Sequence, residues 1–120
     1  MTQESERRLK ALADSGRLSV LTLVHEASEI CVCHIEQILK LPQPTVSRHL
    51  QKLKEAGWLM DRREGRWVHY RLADLEGSRW RIILDVILAE TGNSSRFKED
   101  LQRLKDTVKC DATINSNSSC

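Results

Sequence analysis

A mainly α-helical fold carrying one β-hairpin is what this sequence predicts, on three observations. Apolar residues recur at helical spacing through most of the chain. The period turns to strict alternation in one place, Trp67-Val68-His69-Tyr70-Arg71-Leu72, just after a glycine. The 120 residues suffice for one domain, and with only 4% aromatics its core must come from Leu, Ile and Val.

Glu4 to Leu12 reads as a short amphipathic helix, with Leu9, Leu12 and Ala13 at helical spacing. Asp14 or Ser15 can cap a second helix running to about Ala27. Its Leu18, Val20, Leu21, Leu23 and Val24 are apolar nearly all round, so burial is predicted. His25, near its end, reads as a solvated histidine rather than a ligand. In Glu29 to Leu39, Ile35, Ile38 and Leu39 form the stripe of a helix starting at Cys33 or His34. Leu41-Pro42 ends it, because the residue before proline is pushed out of the helical region. Pro44 suits the first turn of the next helix, which runs to about Ala56 and stops at Gly57. Two helices joined by so short a turn form a helix-turn-helix.

The second of these helices can be read face by face, at about 100° per residue. Val46, Leu50 and Leu53 share an inward stripe; Arg48, Gln51 and Lys52 lie opposite, Thr45 is beside them, and Ser47 and His49 flank them. Arginine and glutamine reach guanine and adenine edges in a major groove, and hydroxyls and lysine reach phosphates. Arg48 is therefore the expected specificity residue, with Ser47 and Lys52 as backbone contacts and Gln43, Thr45, His49 and Gln51 in the same interface. His49 has an alternative, which is to rest against the domain surface.

Trp58 to Leu72 reads as a hairpin with Gly65 supplying the positive φ of its turn. A hairpin directly after a helix-turn-helix is a wing, and the class becomes a winged helix-turn-helix. The tip bears Arg62, Arg63 and Arg66, which could lie on the DNA backbone or along a minor groove; a merely solvated tip is the plainer alternative. The net charge of +2 says little, but Lys40 to Arg71 holds eight bases against three acids, the footprint of a surface facing phosphates. Ser78 to about Thr91 is apolar almost all round, which predicts packing against a second subunit, a homodimer reading two half-sites. Phe97, Leu101, Leu104 and Val108 suggest one more helix. The winged-helix and dimerisation domain is thus expected over residues 1–108, and a polar, disordered tail over 109–120.

Cys31-Val32-Cys33 stands at the head of the helix-turn-helix. The polar N-terminus has no signal-peptide core and no apolar run spans a bilayer, so a cytoplasmic protein without membrane contact is expected, its four cysteines free or ligating. Thiolates are soft donors suited to thiophilic centres. Residues two apart on a helix point about 200° apart, whereas in an extended segment they share a face. A ligand held by both cysteines is therefore expected to select a non-helical Cys31-Val32-Cys33 and to displace the first helix of the helix-turn-helix. A redox regulator forming a Cys31–Cys33 disulfide is an alternative, although so close a bridge is strained. A cadmium, zinc or lead sensor is another. No glycine-rich phosphate loop, nucleophile elbow or His-Glu-x-x-His is present, which disfavours an enzyme.

Glu29-Ile30-Cys31-Val32-Cys33, Gln43-Pro44-Thr45-Val46-Ser47-Arg48-His49-Leu50 and Gly65-Arg66-Trp67-Val68-His69-Tyr70-Arg71-Leu72 together resemble the ArsR family of arsenic-responsive repressors. The resemblance covers about Leu9 to Leu88. It implies a homodimeric winged helix with an additional helix at each end in the dimer interface. It also implies repression of an arsenic-resistance operon, relieved when arsenite or antimonite binds cysteine thiolates, with no organic cofactor. The family motif places a third cysteine three residues after the pair; here that position is Glu36. Cys31 and Cys33 are the matched ligands. From the residues alone, a third ligand could be Cys110, Cys120 or a small thiol, although Cys110 and Cys120 in a polar tail read as incidental rather than essential. The Asp-x-His pair of zinc-sensing relatives is not matched by Asp85-Val86-Ile87.

Overall fold

The computed structural model describes residues 2–114, with side chains described for all of these but Arg96 and 108–114. Helices α1 (Gln3–Leu12) and α2 (Ser15–Ala27) lead into strand β1 (Ile30–Cys31). Helices α3 (Val32–Leu39) and α4 (Gln43–Glu55), strands β2 (Leu59–Glu64) and β3 (Trp67–Leu72), and helices α5 (Arg79–Gly92) and α6 (Ser95–Ile114) follow. The expected winged helix-turn-helix is present, and its sheet is three-stranded, ordered β1-β3-β2.

Local chemistry sets the boundaries. Thr2 Oγ1 accepts from the Ser5 amide to cap α1, and Asp14 accepts from the Arg17 amide at 2.9 Å to cap α2. That amide also holds the Asp14 carboxyl below its ordinary pKa. Between α3 and α4, Lys40 takes the left-handed conformation (φ 55°) and Pro42 is extended, so the chain reverses within three residues. Gly57 ends α4 at φ +88°, and a side chain there would strike the Arg8 guanidinium at 2.9 Å. In the hairpin Glu64 pairs with Trp67, leaving Gly65 (φ 62°) and Arg66 as a two-residue turn with glycine first.

Helix α2 is the centre of the core. Val20, Leu21, Leu23 and Val24 are fully buried and meet Ile35, Ile38, Val46, Leu50, Leu53 and Leu84. Trp58, also fully buried, locks the α4–β2 corner to α1: its indole Nε1 donates to the Arg8 carbonyl at 2.9 Å. Its ring meets Trp80 edge-on at 5.9 Å, and the Arg8 guanidinium lies over both rings at 5.5 and 5.1 Å. Helix α5 buries Leu84 and Leu88 but leaves Ile82 and Val86 66% and 64% exposed, an apolar stripe one turn long.

Two boundaries differ from expectation. Strand β1 was not legible as a strand: two residues are too few for a period, and pairing with β3 alone defines it. Helix α6 continues to Ile114, past the boundary expected at 108, since no glycine or proline interrupts the segment. It packs on α2, α3 and α5, buries Phe97 and Leu104, and is fastened where Arg103 donates to the Ile38 carbonyl at 2.6 Å and to Asp100. Residues 115–120 lie outside the described part.

The corner packing generates a stability prediction. Trp58→Ala should cost about 3–5 kcal/mol, read as a lowered Tm in thermal denaturation. A loss below about 1 kcal/mol, typical of surface sites, would show that Trp58 does not fasten the corner.

Candidate nucleic-acid interface and thiol site

Helix α4 is seated by Val46, Leu50 and Leu53, all buried against the core, and this fixes which residues face out. Gln43, Arg48, Gln51 and Lys52 are exposed as expected, and Thr45 and Ser47 are half-buried beside them. The row is partly self-organised: Gln43 Nε2 donates to Ser47 Oγ at 2.7 Å and Gln51 Nε2 to Glu55 at 2.8 Å. His49 leaves the row and takes the alternative foreseen for it. Its ring packs on the start of α2, close to Gly16, with Nδ1 buried and 4.0 Å from the Asp14 carboxylate. Burial pushes the His49 pKa below its ordinary value; Asp14 pulls it up, and Arg17 and Arg48 push it down further.

The wing arginines divide. Arg62 is committed within the domain, its guanidinium donating to Glu29 at 2.6 Å and to Glu64 at 2.7 Å. Those bonds raise the Arg62 pKa further and lower those of Glu29 and Glu64. Arg63 and Arg66 are exposed, and both line a cleft of about 460 Å³ between α3, α4 and the hairpin. Lys54 braces the same side of α4 through a 3.0 Å ion pair with Asp61 of β2.

The cysteine pair opens into that cleft, opposite Gln43, Ser47 and Arg63, with Glu36 beside it. Cys31 belongs to β1, where it pairs with His69, and it also serves as the extended N-cap of α3 (φ −74°, ψ 145°). Cys33 lies in the first turn of α3. The extended backbone at Cys31 swings its sulfur toward Cys33, and the two Sγ atoms stand 2.7 Å apart. The expectation that a shared ligand must displace the helix is therefore corrected: the strand-to-helix junction already brings both sulfurs together. The alternative of a Cys31–Cys33 disulfide is corrected too. Cys31 is a free, buried thiol and so is not bridged to Cys33, which is itself disulfide-bonded. Cys110 lies in α6 with its side chain outside the described part, and Cys120 lies wholly outside it. Among the described residues no group of three or more His, Cys, Asp or Glu side chains converges to hold a metal, and no helix is long and apolar enough to cross a membrane.

Sequence reasoning missed the Glu29–Arg62 bridge. The two residues are far apart in the chain, and only the β1–β3–β2 order, with Arg62 facing His69, brings them together. It gave no local signal.

Comparison with known proteins adds an independent line. Residues 14–59 match the family model described as bacterial regulatory protein, arsR family. The arsenic resistance transcriptional regulator ArsR1 of Pseudomonas putida is 52% identical over 63 residues, 52% of this chain. That match spans only 49% of the relative's own length, so the chain corresponds to about half of it. ArsR2 of the same organism, also named an arsenic resistance transcriptional regulator, is 38% identical over 97 residues, covering 81% of this chain and 83% of that protein. Among solved structures, the homodimeric winged helix-turn-helix DNA-binding domain Mb0332 of Mycobacterium bovis is 33% identical. It superposes with a TM-score of 0.62 over 72% of this chain and 80% of that one.

The His49 contact predicts a pH dependence with a definite sign. A histidine whose folded pKa is depressed binds fewer protons folded than unfolded, so stability is complete above the unfolded value near 6.5. It is lost as the pH falls below that value toward the lower folded pKa. The Tm of the wild type should fall on going from pH 7.5 to 5, and His49→Gln should flatten that slope. An equal slope in both proteins would remove His49 as its source.

Proposed function

The chain belongs to the arsR family of bacterial regulatory proteins, and we propose that it is a metalloid-responsive transcriptional repressor. In this reading a homodimer holds operator DNA in the cytoplasm, with α4 in the major groove and the hairpin on the flanking backbone. The observation that carries the proposal is the convergence of Cys31 and Cys33 in the cleft shared by the recognition helix and the wing. A trivalent, thiophilic inducer, arsenite or antimonite, suits this donor pair once Cys33 is reduced to its thiol.

Three further features support it. The exposed Ile82 and Val86 of α5 offer an apolar face for a second copy. Cys31 is backbone-paired to the wing strand at His69, so a change in the conformation of Cys31 acts on the wing through a direct contact. Helix α6 packs on α3, with Arg103 at the α3 C-terminus, and Cys110 follows Arg103 by seven residues, two helical turns, on the same helix. This placement favours Cys110 over Cys120 as the third thiolate, the role in which Glu36 is a poor substitute. Arg48, at the middle of the exposed row, is assigned to base reading; Gln43, Thr45, Ser47, Gln51, Lys52, Arg63 and Arg66 surround it.

A second reading is favoured by one observation, the disulfide at Cys33. Oxidation rather than a metalloid would then release the DNA.

Both readings are separated by one experiment. A duplex selected by the wild type from a random pool is titrated with arsenite, and its release is followed by fluorescence anisotropy. Cys31→Ser and Cys33→Ser should each need at least about tenfold more arsenite, a change of about 1.4 kcal/mol. Full sensitivity in both variants would place the trigger elsewhere, and release by peroxide but not by arsenite would favour the redox reading. In the same assay Arg48→Ala should reduce the preference for the selected over a scrambled duplex by about 1–3 kcal/mol and non-specific affinity by less. An unchanged preference would reassign base reading.

A further inference from the structure

The recognition helix has two flanks, and the wing covers only one. A major groove about 12 Å wide is filled by a helix of similar diameter, so a phosphate backbone runs along each side of α4. On the flank away from the wing, α1 and the start of α2 meet the C-terminal half of α4 around a second cleft of about 450 Å³. Arg7, Lys10, Arg17 and Lys52 line it, against Glu6 and Glu55. The cleft begins where the exposed row of α4 ends, since Lys52 is one turn beyond Arg48.

The outer wall is built by α1. Glu6, Arg7 and Lys10 recur at helical spacing and are exposed, while Leu12 is buried in the core and Arg8 is tucked over the tryptophans. Arg17 is engaged within the domain, where its Nε donates to the Ala11 carbonyl at 2.7 Å and clips α1 to α2. The acids do not cancel the cations. The four cations outnumber the two acids, and the exposed Glu6–Lys10 pair at 3.0 Å is of a kind worth a few tenths of a kcal/mol. A DNA phosphate can displace it.

We propose that this cleft is a second phosphate-binding wall. Arg7 and Lys10 of α1, with Lys52 of α4, grip the DNA backbone on the side of the recognition helix opposite the wing. The proposal rests on the DNA-binding reading above. Such contacts fix register and orientation without reading sequence.

The test is the salt dependence of binding of the full chain to the selected duplex and to its scrambled version. Arg7→Gln with Lys10→Gln should lower the slope of log K against log salt by about two, equally for both duplexes. Between 50 and 200 mM salt the variant should therefore lose about tenfold less affinity than the wild type, with the preference between duplexes unchanged. Arg7→Lys with Lys10→Arg keeps both charges and should keep the wild-type slope. A wild-type slope in the glutamine variant, or a reduced slope in the charge-preserving one, overturns the proposal. Arg63→Gln with Arg66→Gln separates the two claims. If that wing variant loses slope while the α1 variant does not, the second wall falls and the DNA reading stands. If the wild type binds neither duplex in a salt-dependent way, the DNA reading falls and takes the proposal with it.

Discussion

The pairing of β1 with β3 is the contact on which the other features of the site hang. Two residues, Ile30 and Cys31, are hydrogen-bonded into the wing's sheet opposite Tyr70 and His69. The pairing keeps Cys31 extended, and the extended Cys31 starts α3 and turns its sulfur to Cys33. Without the strand the segment would be one more turn of helix, and the same two side chains would point apart. The strand also places both sulfurs in the cleft that α4 and the hairpin tip share. A perturbation at the sulfurs is therefore applied where β1, α3 and the hairpin meet.

Charge is organised around the same joint. Arg62, although on the wing, is held by Glu29 at the foot of β1 and by Glu64 on its own strand. All three side chains are substantially exposed, so the bridges contribute orientation more than stability. They tie the approach to the cysteines to the strand that presents Arg63 and Arg66. Arg63 and Arg66 remain exposed on one side of α4, and Arg7, Lys10 and Lys52 on the other. His49 stabilises the seat of α4 by occupying the space over Gly16, which a larger residue at that position would contest.

The fold was legible where periodicity was long. Leu18 to Val24 announced a buried helix, Val46, Leu50 and Leu53 fixed the inward face of α4, and Gly65 marked the hairpin turn, all matched by the structure. What failed to show was set by tertiary contacts. Strand β1 has no period of its own, and the convergence of the sulfurs follows from that strand, so helical geometry alone misjudged the site. Arg62 and His49 looked like DNA contacts because residue type and position on an element suggested it. Within the domain their side chains meet Glu29 and the start of α2, which lie far away in sequence and could not be read from it. The end of α6 was misplaced because a polar composition resembles a tail even where no glycine or proline stops a helix.

Amide hydrogen exchange at Ile30, Cys31, His69 and Tyr70, with and without arsenite, is the sharpest test of the coupling between the thiol pair and the wing. Added arsenite should speed exchange by about tenfold or more at those of these amides that bond across β1–β3, while the core amides of Leu21 and Leu23 stay protected, the signature of a local opening. Release of DNA by arsenite with exchange of the β1–β3 amides unchanged would contradict that coupling.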